Sequence, residues 1–187
     1  MPSSPEARQN SAATLGSLSV FEDNNILIGN SGAIGPLPEL LGNGTPLGKR
    51  YVATALFNLS TCNENRPEIV KSGAVKSLIE LMDPATGMVE KAVVVLANLA
   101  TIHEGRTAIA EAEGITPLVE AVELGSMRVK ELATQALVRL CSDSNRYWRK
   151  VLEEGAIPSL MVMFKSGIQK APEKVCFTVY IKCHLLR

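Results

Sequence analysis

The sequence predicts an all-α solenoid: a right-handed superhelix of three-helix repeats with a period of about 41 residues. Two independent ladders and a composition carry that expectation. Gly32, Gly73, Gly114 and Gly155 recur every 41 residues, in the contexts Ser31-Gly32-Ala33-Ile34, Ser72-Gly73-Ala74-Val75, Glu113-Gly114-Ile115 and Glu154-Gly155-Ala156-Ile157. Leu18, Leu59, Leu99 and Leu140 form a second ladder at almost the same spacing. Hydrophobic residues make up 46% of the 187 but aromatics only 4%, so the core must be built from Leu, Val, Ile and Ala. Such a core suits close helix packing better than a sandwich or a barrel.

Each unit resolves into three helical stretches. The first is short, as in Arg66 to Ser72, and Asn65 stands before it as a candidate N-cap whose side chain accepts an orphan backbone N–H. Asn24 and Asn145 occupy comparable places. A glycine follows, where the chain must turn sharply and a Cβ would clash. The second helix, as in Val75 to Met82, carries Val75, Leu78, Ile79 and Met82 at helical spacing. Pro36, Pro117 and Pro158 fall in its first turn, where a missing N–H costs little. Gly and Pro punctuate the next connection, in Gly42-Asn43-Gly44-Thr45-Pro46, Asp83-Pro84-Ala85-Thr86-Gly87 and Leu124-Gly125-Ser126. The third helix is longest, as in Met88 to Thr101, with Val89, Ala92, Val93, Leu96 and Leu99 or Ala100 along one face.

No unit of this size encloses its own apolar faces, so stacking supplies the rest of the core. The expected organisation is a disordered segment 1–8, a partial repeat 9–22 holding a third helix only, and repeats over 24–62, 65–102, 105–143 and 145–187. The last of these diverges. Leu15 and Leu18 at one end, and Phe177, Tyr180 and Ile181 at the other, are expected to fray or to self-associate for want of a covering neighbour.

Charge and motifs narrow the function. Lys plus Arg and Asp plus Glu each number 19, with a formal net charge of zero and both signs interspersed. The basic surplus that displaces counterions from nucleic acid is missing, so nucleic acid is not the expected partner. Cys62, Cys141, Cys176 and Cys183 form no CxxC pair, and although His184 adjoins Cys183, sequence neighbours on a helix do not face one ligand. No metal or cofactor is expected, and the cysteine usage fits a reducing compartment. Met1-Pro2-Ser3-Ser4-Pro5-Glu6 has no apolar core, and Ala92 to Ala100 is too short to span a bilayer. The expected location is the cytoplasm, with the nucleus as the alternative. His103-Glu104 has no orienting partner legible in the sequence, and no G-x-S-x-G, P-loop or G-x-G-x-x-G occurs, so the chain is not expected to be an enzyme.

The period, the glycine between the first two helices and an Ala-Leu-x-Asn-Leu-Ser third helix resemble the armadillo repeat, from about Gln9 to Lys165. Gly48-Lys49-Arg50-Tyr51-Val52-Ala53-Thr54-Ala55-Leu56-Phe57-Asn58-Leu59-Ser60 looks like the armadillo region of plant U-box E3 ubiquitin ligases. So do Leu81 to Val89 and Val95-Leu96-Ala97-Asn98-Leu99-Ala100-Thr101. Nothing in the 187 residues resembles the U-box itself, with its Cys-Pro-Ile opening, so ligase activity is not implied for this chain. The segment Val175-Cys176-Phe177-Thr178-Val179-Tyr180-Ile181 departs from the polar last helix of that family. The period still demands a helix there.

The resemblance implies a concave groove lined by third helices, in which Asn58 and Asn98 grip the backbone of an extended peptide. Ser17 and Arg139 occupy the flanking rungs. Asn is a poor mid-helix residue, yet it recurs between two leucines, and an amide donates and accepts at once. The competing reading has both amides bonding across adjacent repeats and binding nothing. One turn earlier lie Thr54, Val94 and Gln135, and two turns earlier Arg50, Glu90 and Glu131, the last set read as a solvated face of mixed charge. Trp148 is either a surface hot spot beside Arg146 and Arg149 or a residue packed beneath its neighbour.

The expected function is a protein-interaction module taking a partner or substrate polypeptide in the groove. A nuclear-transport-type adaptor for basic peptides is the second reading, disfavoured because no third helix carries the Trp ladder of that class. A truncated, non-functional fragment is the third.

Overall fold

A computed structural model describes residues 4–165 of the chain. The fourth repeat's third helix, expected within 171–187, lies outside the described residues.

The first rung is a lone third helix, α1 (Pro5–Leu18). Three complete repeats follow: α2 (Glu22–Asn30), α3 (Leu37–Asn43) and α4 (Pro46–Leu59); then α5 (Arg66–Lys71), α6 (Ala74–Glu80) and α7 (Val89–Leu99); then α8 (His103–Glu111), α9 (Ile115–Leu124) and α10 (Met127–Asp143). A fourth opens with α11 (Asn145–Glu153) and α12 (Ile157–Lys165), and no strand occurs among the described residues.

The third helices stack as a ladder, α1 on α4, α4 on α7, α7 on α10, while α3 packs on α6 and α5 on α8 in the layer behind. One continuous core runs through them, from Ala12 and Leu41 through Leu56, Leu59, Leu96 and Leu99 to Leu140 and Leu160. The chain is an armadillo-type α-solenoid. α7, flanked on both sides, buries Ala92, Val93, Val94, Val95, Leu96, Ala97 and Leu99, far more than the single apolar face read from its sequence.

Residues 5–8 are helical, where a disordered segment was expected. Ser4 accepts a hydrogen bond from Ala7 N at 3.2 Å and Pro5 opens the helix, as Thr45 accepts from Gly48 N at 3.0 Å and Pro46 opens α4. A hydroxyl cap followed by proline is a complete helix-start signal. Ser126, which takes Val129 N, caps α10 in the same register; Thr86 takes Met88 N at 3.2 Å just ahead of α7, which has no side-chain cap of its own.

The glycine ladder has two physical causes. Gly32, Gly73 and Gly155 take left-handed φ of 78°, 83° and 73°, and a Cβ at each would meet nothing within 4 Å. Conformation is the constraint there, rather than the expected clash. In the third repeat Glu113 takes the positive φ, at 60°. Gly114 has an ordinary φ of −70°, but its Cβ would lie 2.8 Å from Ile109 Cγ2 and 2.9 Å from Ile79 Cδ1.

Candidate functional site

Asn58 and Asn98 sit one above the other in the last turns of α4 and α7, and both are half-buried. Their amide nitrogens point toward the preceding repeat. Asn58 Nδ2 donates to Ser19 Oγ at 3.0 Å and to Gly16 O at 3.4 Å. Asn98 Nδ2 donates to Ser60 Oγ at 3.0 Å. Ser19 and Ser60 are fully buried and donate their own hydroxyl protons to Gly16 O and Phe57 O. Each amide is thus half of a brace between repeats, and its oxygen makes no hydrogen bond among the described residues.

At the next rung the preceding helix offers Ala100 where the others offer serine. Arg139 stands there in place of asparagine, and its Nη1 reaches back to Ala97 O at 2.9 Å. Ser17, at the rung before Asn58, is exposed and bonds within its own helix, to Ala13 O.

The outer positions are mixed in charge and in exposure, so the solvated face expected there holds only in part. Thr54 Oγ1 donates to Arg50 O and accepts from Lys91 Nζ at 2.5 Å. Glu90 pairs with Arg128 of α10 at 3.2 Å, both side chains more than half exposed. Arg50 is exposed, Glu131 and Gln135 half-buried, and Val94 buried. Such exposed pairs contribute little to stability.

A polar seam behind the ladder is absent from the sequence reading. Asn65 does not cap α5: its side chain accepts no cap hydrogen bond. It is buried, and its Nδ2 donates to Asn25 O at 2.9 Å and Leu59 O at 3.2 Å. A Cβ on Gly29 would fall 1.8 Å from Asn65 Oδ1, so the glycine makes room for the amide. Asn25, also buried, donates to Asn58 O. Asn24 lies inside α2 and donates to Leu18 O, while α11 is capped by Ser144 rather than Asn145. The signal for the seam was the recurrence of Asn24 and Asn65 themselves, read for the wrong partner. Trp148 is 2% exposed, so it packs within the core and offers no surface hot spot.

Among the described residues no group of three or more His, Cys, Asp or Glu could hold a metal ion, and no helix is long and apolar enough to cross a membrane. Cys62 donates its thiol proton to Glu64 Oε2 at 3.0 Å. Burial, reinforced by that bond, raises its pKa, away from the thiolate.

A ladder of third helices, bridged by amides and stacked on paired shorter helices, defines an armadillo repeat protein. The profile of the plant U-box protein ARM repeat region matches residues 3–175, and the chain belongs to that family. U-box domain-containing protein 2 of Arabidopsis thaliana is 63% identical over 71 residues, covering 38% of this chain and 10% of the relative. U-box domain-containing protein 8 of the same plant is 31% identical over 156 residues, 82% of this chain and 41% of the relative. The chain thus spans less than half the length of these relatives. Computationally designed armadillo repeat proteins for modular peptide recognition superpose with a TM-score of 0.73 at 26% identity, over 93% of this chain and 73% of theirs. A designed armadillo repeat protein in complex with the peptide (KR)4 superposes at 0.71, with 24% identity, over 96% and 75%.

Proposed function

We propose that the third-helix ladder binds an extended segment of a partner protein, as the substrate-binding region of a U-box-type ubiquitin ligase would. The observation that carries this reading is the pair of half-exposed amides at one register of adjacent helices, Asn58 and Asn98. Each has its nitrogen committed to the scaffold, and its oxygen accepts no hydrogen bond among the described residues. A fixed acceptor on the third-helix ladder suits the N–H of a peptide backbone, and the brace pre-organises it so that little ordering entropy is lost on binding. The designed armadillo repeat proteins for modular peptide recognition, 26% identical to this chain, support a peptide-binding reading. The charges of the ladder favour a neutral or acidic ligand over a basic one, because Glu90 is already paired with Arg128, leaving Glu131 against Arg50, Lys91 and Arg139.

The test uses a peptide selected by this chain from a random display library. Asn58→Ala/Asn98→Ala removes both acceptors, each worth about 0.5–1.5 kcal/mol. Calorimetric affinity for the peptide is expected to fall roughly tenfold or more. Unchanged affinity would place the binding surface elsewhere.

A further inference from the structure

We propose that Arg139, flanked by Arg66 and Arg106, forms an anion subsite at the carboxyl end of α7 that takes an acidic side chain of the bound polypeptide, carboxylate or phosphate. It rests on the groove reading for the polypeptide, and on independent geometry for the anion. Three guanidiniums from three different helices meet on five consecutive residues. Arg66 Nη1 donates to Thr101 Oγ1 at 2.8 Å, Arg106 Nη1 to Ala100 O at 3.0 Å and Arg139 Nη1 to Ala97 O at 2.9 Å. All three side chains are half-buried, and Thr101 is exposed, so the cluster faces outward.

A helix carboxyl end carries roughly half a negative charge, less than the full positive charge of Arg139 alone. Arg66 also has the exposed Glu64 carboxylate near it. Arg139 is different: among the described residues it has no carboxylate partner, and one carbonyl satisfies one of its five N–H donors. Burial, and after it the charges of Arg66 and Arg106, hold its pKa below the ordinary arginine value. Asn58 and Asn98 bridge the same register with a neutral amide, and the switch to arginine comes where the serine acceptor is lost at Ala100. A guanidinium with free N–H pairs suits the two oxygens of a carboxylate or phosphate.

The experiment follows the arginine Nε–H resonances of the full chain by nuclear magnetic resonance. The probes are inorganic phosphate, an alternating Glu-Asp peptide, a phosphoserine-containing peptide and (Lys-Arg)4. Both acidic peptides are expected to shift the Arg139 resonance saturably, phosphate more weakly, and (Lys-Arg)4 not at all. Preference between the two acidic peptides identifies the oxygen source. Arg139→Asn, the residue the neighbouring rungs carry, should keep the helical circular dichroism and lose about tenfold in affinity for the acidic peptides. Arg139→Lys, which keeps the charge without the fork, should retain part of it. Equal binding by wild type and Arg139→Asn, or uniform shifts of every arginine, would overturn the subsite. The two readings fail separately: loss of the library-selected peptide in Asn58→Ala/Asn98→Ala with no effect of Arg139→Asn on acidic peptides leaves the groove and removes the subsite. A phosphate response at Arg139 without any peptide binding does the reverse.

Discussion

Gly73 and Gly114 stand at the same register of successive repeats, yet a methyl group is resisted at each for a different reason. At Gly73 it strains a left-handed backbone in open space; at Gly114 it strikes Ile109 and Ile79. Gly73→Ala is therefore expected to cost about 1–2 kcal/mol, and Gly114→Ala more, since two core side chains and the backbone they sit on must move. The inverse change is informative. Glu113 carries the left-handed φ of its repeat without being glycine, so Glu113→Gly is expected to raise stability by about 1 kcal/mol in urea unfolding. The sequence displayed the glycine ladder but not its causes, because Gly is required both by φ and by close approach, and spacing cannot tell them apart. Asn65 was legible as special and misread as a cap. Its partner Asn25 lies in the previous repeat, and only stacking brings the two together. Asn65→Ala is expected to cost about 1–3 kcal/mol, by leaving the carbonyls of Asn25 and Leu59 short of a donor.

Elements were legible where period and punctuation agreed. Helices α4, α6 and α7 begin within a residue or two of the Pro46, Gly73 and Gly87 signals that precede them. The start of α1 was missed because a Ser-Pro pair near a chain end reads as loop until its equivalence to Thr45-Pro46 is noticed. α7 shows what a single repeat's sequence cannot. Its burial on almost every side comes from neighbours 40 residues away in both directions, so its apolar residues exceed one face. Leu59→Ala and Leu99→Ala, both at 0% exposure, should each cost about 2–5 kcal/mol. Amide exchange in α7 is expected to be slower than in α1, which has a third-helix neighbour on one side only. Comparable protection in the two helices would mean that stacking on both flanks is not what stabilises a rung.

For the whole molecule, the solenoid leaves an apolar surface around α1 and α2. Leu18, Val20, Phe21, Ile26 and Leu27 are each at least 46% exposed. Sedimentation at increasing concentration is expected to show self-association, reduced by Phe21→Glu/Leu27→Glu; a strict monomer across the range would contradict this. Mixed with ubiquitin, activating and conjugating enzymes, the 187-residue chain is expected to form no polyubiquitin, and robust chain formation would reveal a recruiting surface on the repeats. The solenoid was legible from two ladders because repetition multiplies a weak local signal. The candidate site was only half legible: the Asn rungs could be named from their odd place in a helix, but their division into a braced nitrogen and an open oxygen depends on serines one repeat away.

That division is the central claim, and Ser60 separates its two halves. Ser60→Ala takes away the acceptor of Asn98 Nδ2 while leaving Asn98 in place; Asn98→Ala removes brace and groove acceptor together. The deciding measurement is the affinity of the library-selected peptide for both variants, beside their urea midpoints. Similar losses of stability, about 0.5–1.5 kcal/mol each, with peptide affinity lowered only slightly by Ser60→Ala, which loosens the acceptor, and several-fold by Asn98→Ala, which removes it, is the result the account predicts. Equal effects of the two variants on affinity would show that the amide only braces the repeats, and that the ladder does not bind through it.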